Sequence, residues 1–308
     1  MKNTRLFFCA AALSALFVFS SCTKNDVSDN GTQLTTHTED QSRFSNETDA
    51  VDNDVNVVID GFAAFNGKVS GLNSLICDAT VSMDSTVSLR RITITFNGTN
   101  CLGTRTRTGV VVLTMPLTQH WVDAGAVLTM NIQNLRITRL SDNKSITING
   151  VRTITNVSGG RLRDLASLGT IVHDVASAGM QITFDDGSQR TWQVAKRRTF
   201  TYNNGIVVST IGTHTDGTTT GIAEWGTNRF GNAFVTVITQ PMVIRQDCDF
   251  RLVSGQVTHK RLFAEVVVTF GLDASGNAAS CPGAGASYYF KLVWTGVNGL
   301  VRTVILPY

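Results

Sequence analysis

The stretch that most directly indicates the fold reads Ser145-Ile146-Thr147-Ile148-Asn149-Gly150-Val151-Arg152-Thr153-Ile154. Before its centre, Ile146 and Ile148 alternate with polar residues, a period of two that is typical of half-buried strands, and after its centre β-branched residues again predominate. The central Asn149-Gly150 is the pair that a type I′ hairpin turn favours. The stretch therefore predicts two short antiparallel strands joined at Asn149-Gly150.

The same alternation recurs along most of the chain after residue 67. Residues 182–184 and 189–192 flank Asp185-Asp186-Gly187-Ser188, which predicts a second, longer hairpin. Further segments rich in Val, Ile, Thr and aromatic residues predict strands at residues 88–96, 109–115, 126–140, 179–184, 206–211, 233–239, 263–270, 288–294 and 300–306. Many short strands predict an all-β fold of antiparallel, sandwich-like sheets.

Two segments precede this β-rich region. Residues 22–45 have a polar composition with almost no apolar residues, which predicts a flexible tether. In residues 46–64 the apolar residues recur at helical spacing, which predicts one short helix with a single apolar stripe that packs on the sheet. The members of this stripe are Val51, Val55, Val58, Ile59 and Phe62.

The first 21 residues have the parts of a secretory signal. Lys2 and Arg5 come before an apolar run at residues 6–19, and the small residues Ser20 and Ser21 follow it, directly before Cys22. The apolar run, at about 14 residues, is too short to cross a bilayer as a permanent helix. The segment therefore predicts an exported protein.

Ser20-Ser21-Cys22 resembles the lipobox of bacterial lipoproteins, although Phe19 stands where a lipobox usually has an aliphatic residue. The following Thr23-Lys24-Asn25-Asp26 resembles a tract found in many Bacteroidota envelope lipoproteins. This resemblance implies that Cys22 carries lipid, including palmitate, and that it anchors the chain in the outer membrane at the cell surface, with the periplasmic face as an alternative. An ordinary signal peptide with a chance cysteine is the other interpretation.

Without the signal segment and the lipidated cysteine, four cysteines remain. An exported protein meets an oxidising compartment, which permits disulfides. Three pairings are possible, and internal similarity favours Cys77 with Cys101 and Cys248 with Cys281: each loop starts Cys-Asp and passes through a strand that ends in Phe and Gly. The similarity predicts two related β-rich halves, residues 65–165 and 166–308.

Charge excludes one class of partner. The full chain has 26 Lys and Arg against 23 Asp and Glu, and the signal segment removes two basic residues and no acidic one, which leaves 24 against 23. A nucleic-acid binder needs a net basic surface to replace phosphate counterions, so no nucleic-acid partner is predicted. The local basic excess is interpreted as a solvated strand face: Arg105, Arg107, Arg190, Lys196, Arg197 and Arg198.

No motif predicts a catalytic, metal or cofactor site. The five histidines are isolated from one another, and neither a metal-binding helix motif nor a GxSxG, P-loop or dinucleotide motif occurs. Glycoside cleavage needs two nearby carboxylates, but Asp185 and Asp186 fit a turn. The acidic group Glu47, Asp49, Asp52 and Asp54 is interpreted as the polar face of the helix.

Two isolated glutamates and the aromatic residues are the remaining candidates. Glu224 and Glu265 lie in strand-like stretches, and Glu224 precedes Trp225, which would allow an acid beside a sugar-stacking ring. Buried core aromatics explain the rings with fewer assumptions than a glycan platform does. The rings in question are Trp121, Trp192, Trp225, Trp294, Tyr202, Tyr288, Tyr289 and Tyr308.

Three functions follow from these observations. The first is a lipid-anchored, non-enzymatic envelope protein that has a structural role or binds a ligand such as a glycan or an envelope protein. The second is a pilus subunit similar to the fimbrillins, in which the apolar C-terminal strand at residues 300–306 completes a neighbouring subunit. The third is a surface carbohydrate-active enzyme. For the non-enzymatic envelope protein, the sequence implies no cofactor.

Overall fold

A computed structural model describes residues 26–61, 76–85, 88–260, 264–281, 286–296 and 299–308 of the chain. The signal segment, Cys22 and Phe62 lie outside the described residues. The helices are α1 (Asp26–Gly61), α2 (Leu165–Leu168) and two 3-10 helices, Leu162–Asp164 and Gln246–Cys248. No helix within these ranges is long and apolar enough to cross a membrane.

Fifteen strands make up the remainder of the described secondary structure. They are β1 (Ala79–Ser85), β2 (Leu89–Thr99), β3 (Arg105–Pro116), β4 (Ala126–Arg139), β5 (Ser145–Asn156), β6 (Thr170–Phe184), β7 (Gln189–Tyr202), β8 (Ile206–Gly212), β9 (His214–Asp216), β10 (Thr219–Thr227), β11 (Ala233–Arg245), β12 (Arg251–Lys260), β13 (Val266–Leu272), β14 (Tyr289–Thr295) and β15 (Val301–Pro307). All strand pairs are antiparallel, so the predicted all-β class is confirmed.

The strands form one continuous sheet in the order β1-β2-β3-β4-β5-β6-β7-β10-β11-β12-β13-β14-β15. Strand β8 lies beside β10 and pairs with the same two neighbours, β7 and β11, while β9 pairs with β10. The predicted boundary at residues 165–166 falls on the short helices between β5 and β6, which are neighbours in the sheet. The chain therefore forms one sheet across this position, and the relation between the two halves stays a prediction.

The sheet is strongly curved. In a flat sheet β3 and β15 would lie about 48 Å apart, since ten strand spacings separate them. Arg105 of β3 and Tyr308, which follows β15, instead line the same clefts. The buried face of the sheet is therefore concave, and α1 packs against it.

The predicted hairpin at Asn149-Gly150 is wrong. Strand β5 runs through both residues without turning, and its register against β6 shifts between Asn149 and Arg152. A Cβ on Gly150 would approach Met180 Cα to 2.9 Å, so this glycine lets β5 and β6 pack closely at an irregularity. Asn-Gly serves here as a bulge. The second predicted hairpin, β6 to β7, is confirmed, with Thr183 opposite Gln189.

The irregularities lie side by side on neighbouring strands. The register shifts near Gly109 in β3, between Ile132 and Leu135 in β4, and beside Asn149 in β5. The backbone N–H of Asn134 donates to Asn149 Oδ1 at 2.7 Å, which joins two of these sites directly. Because a bulge bends its strand and increases the local twist, a row of bulges explains why the sheet curves.

Helix α1 replaces the predicted tether. The structure places Asp26 to Ser45 in the same helix as the predicted short helix, whose apolar residues Val51, Val55, Val58 and Ile59 are buried as expected. The buried stripe extends back through positions that share its spacing but are mostly polar. These are Leu34, His37, Thr38, Gln41, Phe44 and Thr48. Apolar residues alone do not reveal this packed face, because polar side chains occupy most of its N-terminal part.

Two disulfides fasten the ends of the sheet. The structure joins Cys77 to Cys101 and Cys248 to Cys281, each with a Cα–Cα distance of 5.3 Å. These are the pairs that the internal similarity favours. The first links the entry of β1 to the β2–β3 turn, and the second links the β11–β12 connection to the loop before β14.

Candidate functional site

A charged layer separates α1 from the sheet. On β7 the inward positions alternate from Arg190 to Phe200, and Lys196 and Arg198 share this face with Trp192. Arg190 and Arg198 are 1% and 2% exposed, so the predicted solvated face is wrong for these residues. Arg107 of β3 is also buried, whereas Arg197 points outward and pairs with Asp174.

Asp52 of α1 stands at the centre of this layer. Its Oδ2 accepts a hydrogen bond from Arg152 at 2.9 Å and another from Arg198 at 3.1 Å. All three side chains are at most 3% exposed. A buried charge is costly unless it is paired, so each of these groups depends on the others.

Arg107 forms a second cluster near the C-terminal end of α1. Its guanidinium donates two hydrogen bonds to the Asp78 carboxylate and one to Asp54, each at 2.6 Å. The same group lies 4.4 Å from the centre of the Phe96 ring. Asp54 therefore belongs to a helix-to-sheet ion pair, and so do Glu47, which binds Arg105, and Asp52. The predicted polar face of the helix is turned toward the sheet.

Glu224 is fully buried and serves the same layer. Its carboxylate forms a short ion pair with Lys196 and accepts hydrogen bonds from Gln41 at 3.0 Å and from Ser45 at 2.8 Å. Glu265 is exposed at the start of β13 and lines none of the described clefts. The two glutamates considered for glycoside cleavage are therefore not brought together.

Arg190 lies between two aromatic rings. Its guanidinium is 3.9 Å from the Trp192 ring centre and 4.4 Å from that of Phe234, and none of its nitrogens has a hydrogen-bond partner among the described residues. Burial lowers the pKa of Arg190 to about 9, while nearby Asp40 and Glu224 act in the opposite direction. The contacts with the two rings thus replace part of the lost hydration.

Three histidines are buried against this layer. Burial, assisted by Arg190, lowers the pKa of His259 to about 3, and its Nδ1 lies 3.0 Å from the Thr236 hydroxyl. Burial also lowers the pKa of His37 well below its usual value. His173 lies between Trp121 and Phe200, and burial with help from Arg198 lowers its pKa to about 3. These histidines are neutral at pH 7.

The other histidines and the acidic turn have local roles. His120 lies near Asp123, and His214 stacks on Trp225 with ring centres 4.1 Å apart. Asp186 accepts bonds from Ser188 within the β6–β7 turn and pairs with Arg229, which also binds Asp40 of α1. This turn therefore contributes to the contact with the helix. Among the described residues, no histidine belongs to a group of three or more His, Cys, Asp or Glu side chains that could hold a metal ion.

The described residues contain one cluster with metal-ligand chemistry, formed by Asp247, Cys248 and Cys281. Its two cysteines are joined in a disulfide, so their sulfurs are not thiolate ligands. Three of the eight candidate stacking rings are core residues, Trp121, Trp192 and Tyr288, at 2% exposure or less. Trp225, Trp294, Tyr289 and Tyr308 are half-buried, and Tyr202 is exposed.

Three adjoining clefts follow α1 along its accessible side, and together they are called the α1 groove. The N-terminal cleft has a volume of about 830 Å³, the middle one about 410 Å³ and the C-terminal one about 700 Å³. Thr36 and Glu39 line both the N-terminal and the middle clefts, and Asn46 lines both the middle and the C-terminal ones. The sequence gives no sign of this groove, because the polar composition of residues 26–45 hides the helix that lines it.

Several charged residues that line the middle cleft are already paired. Arg229 binds Asp40 there, and Arg139 binds Asp142 next to it. The strand predicted to complete a neighbouring subunit is β15, which pairs with β14 over seven positions of its own sheet.

Comparison with known proteins finds no family model, curated protein or solved structure that matches the chain.

Proposed function

We propose that the chain is a lipid-anchored, non-enzymatic protein of the cell envelope, placed in the outer membrane at the cell surface, whose folded body binds a ligand in the α1 groove. One observation gives the strongest support to the combination of a lipid anchor with ligand binding in the groove. Helix α1 starts at Asp26, four residues after Cys22, and lines all three clefts of the groove. The segment that follows the anchor is thus part of the binding surface.

The short distance between the anchor and the helix changes the expected position of the body. Four extended residues reach about 14 Å, so the lipid on Cys22 would hold the N-terminal end of α1 close to the membrane surface. A long tether would have placed the body well clear of it. A ligand that belongs to the same membrane is therefore within reach of the groove.

A non-enzymatic role is supported by how the charged groups are used. The carboxylates of Asp52, Asp78 and Glu224 bind guanidinium or ammonium groups in the layer under α1. Each of these carboxylates is at most 1% exposed and already bound, so it is out of reach of a substrate, which does not suit a general acid or base. These groups stabilise the packing of α1 on the sheet.

Metabolic labelling tests the anchor. Cells that express the full chain and grow with radiolabelled palmitate are expected to label it, and Cys22→Ala is expected to remove the label because the acceptor sulfur is lost. Cys9→Ala is the matched control, since Cys9 lies within the signal segment, and it should retain the label. A labelled Cys22→Ala protein, or an unlabelled wild type, would contradict the anchor.

A further inference from the structure

The N-terminal cleft of the α1 groove lies between two well-defined surfaces. Gly31, Thr35 and Glu39 recur every four residues and form one face of α1. Trp294 of β14 and Arg302 of β15 are directly opposite each other in the sheet, so their side chains share a face. A Cβ on Gly31 would lie 3.5 Å from Trp294 Cζ2, which places the helix backbone against the edge of the indole.

The polar groups of this cleft differ from those of the charged layer. Glu39 and Arg302 are exposed, and neither forms an ion pair with a residue that the structure describes. Elsewhere in the groove, Asp40, Glu47 and Asp54 of the same helix each bind an arginine. The N-terminal cleft thus offers a free carboxylate and a free guanidinium beside a half-buried indole.

This set of groups selects the chemistry of a ligand. An anion is attracted by Arg302 but repelled by Glu39, and a cation is attracted by Glu39 but repelled by Arg302, so a ligand with a single charge gains little from the pair. A neutral ligand with many hydroxyl groups uses both, because carboxylates accept and guanidiniums donate hydrogen bonds. The indole provides an apolar surface for the C–H face of a sugar ring.

We propose that the N-terminal cleft, formed by Gly31, Thr35 and Glu39 with Trp294 and Arg302, binds a neutral saccharide. The cleft, at about 830 Å³, lies in the size range of small-molecule sites. The proposal rests on the proposed function only for the source of the saccharide. If Cys22 is lipidated, Gly31 lies within about 22 Å of the anchor, counting extended residues up to Asp26 and helical rise after it. The sugar head of a glycolipid in the same membrane is then within reach.

Binding is measured with the purified full chain in a detergent whose head group is not a sugar. The probes are an array of neutral oligosaccharides, then the strongest array ligand free in solution, followed by tryptophan fluorescence, and the same saccharide attached to a lipid. Saturable binding of the free saccharide is expected. Tighter binding of the lipid-linked form would assign the membrane as its source, and equal binding would assign a free glycan. Binding of neither form would overturn the proposal.

Variants locate the site. Trp294→Ala and Glu39→Gln are each expected to weaken binding at least tenfold, and Gly31→Leu is expected to abolish it by filling the cleft while keeping a good helix former at that position. Trp225→Ala is the matched control, because Trp225 is a half-buried indole that stacks on His214 away from the groove, and it should leave the affinity unchanged. Unchanged affinity in Glu39→Gln and Gly31→Leu would contradict this location.

The result of the saccharide-binding experiment can be separated from the result of the palmitate-labelling experiment. Binding in detergent depends on the cleft and not on palmitate, so a failure of the labelling experiment leaves the saccharide result interpretable. Conversely, a labelled chain that binds no neutral saccharide retains its anchor and loses the proposed site.

Discussion

Asp52→Asn is expected to lower the free energy of unfolding by about 3 to 5 kcal/mol. The substitution keeps the size of the side chain but removes the charge that Arg152 and Arg198 share, and both guanidiniums are at most 3% exposed. Arg152 would then lack its counterion, and Arg198 would keep only Asp49, at 3.9 Å. Urea unfolding followed by circular dichroism at pH 7 measures the change.

Asp174→Asn is the control for this prediction. Asp174 also binds an arginine, Arg197, but both side chains are more than one-third exposed, so the loss should stay below about 1 kcal/mol. Replacing Asp52 with Leu together with Arg152→Met and Arg198→Met should recover part of the stability, because the three charges of this cluster are then removed together and none of them is left unpaired. Equal losses for Asp52→Asn and Asp174→Asn would contradict the buried charged layer.

Acid is expected to destabilise the protein through its buried histidines. The pKa of His173 and of His259 is lowered from 6.5 to about 3 in the folded state, so the unfolded chain binds protons more readily. Their contribution to stability is fully present above pH 6.5 and is lost as the pH falls toward 3. As the pH falls from 7 to 4.5, each histidine should lower the free energy of unfolding by about 2.7 kcal/mol, because the loss begins near pH 6.5 and then amounts to about 1.36 kcal/mol per pH unit.

The contribution of one histidine is isolated by difference. Asp60 acts in the opposite sense, since burial raises its pKa to about 6 and the protonated form is favoured in the folded state. His173→Gln should therefore be compared with wild type at pH 7 and at pH 4.5. The difference between their free energies of unfolding is expected to be about 2 to 3 kcal/mol smaller at pH 4.5, because only the wild type loses the contribution of His173. Ile132→Val, which alters a buried residue of β4 and no titratable group, should show a constant deficit. A constant deficit for His173→Gln would contradict the prediction.

The strands were largely predictable from the sequence because alternation depends on local pattern. The β6–β7 hairpin follows from Asp185-Asp186-Gly187-Ser188, whose turn chemistry is local. Asn149-Gly150 has equally good turn chemistry but lies in the middle of β5. Its role there is set by the close approach of β6 and by the bulge beside it in β4, which are contacts between strands that no local pattern reveals.

The alternation of residues along β7 indicates the charged layer. Every second position of this strand belongs to one face, which holds the apolar residues Trp192, Val194 and Phe200. The basic residues Arg190, Lys196 and Arg198 occupy positions of the same face, so they are expected to be buried with them. The acidic residues of α1 supply the counterions, but this is visible only when the helix is known to face the strands. Taken alone, basic strand residues and acidic helix residues are each expected in solvent; only their pairing makes burial favourable.

The N-terminal part of α1 differs most from the sequence-based prediction, for a related physical reason. Its buried stripe has helical spacing, but His37, Gln41, Thr48 and Asp52 occupy positions that apolar residues usually fill. The polar sequence gives little intrinsic helix stability. Ion pairs and hydrogen bonds to the sheet, such as those of Gln41 with Glu224, stabilise it instead.

Hydrogen exchange tests the enclosure of α1 most directly. Amides from Leu34 to Ile59 are expected to exchange as slowly as those of the central strands β5 and β6, because the helix is released only when the sheet unfolds. Exchange of residues 34 to 45 at the rate of an unstructured chain, with slow exchange in the strands, would show a tether and would contradict the account.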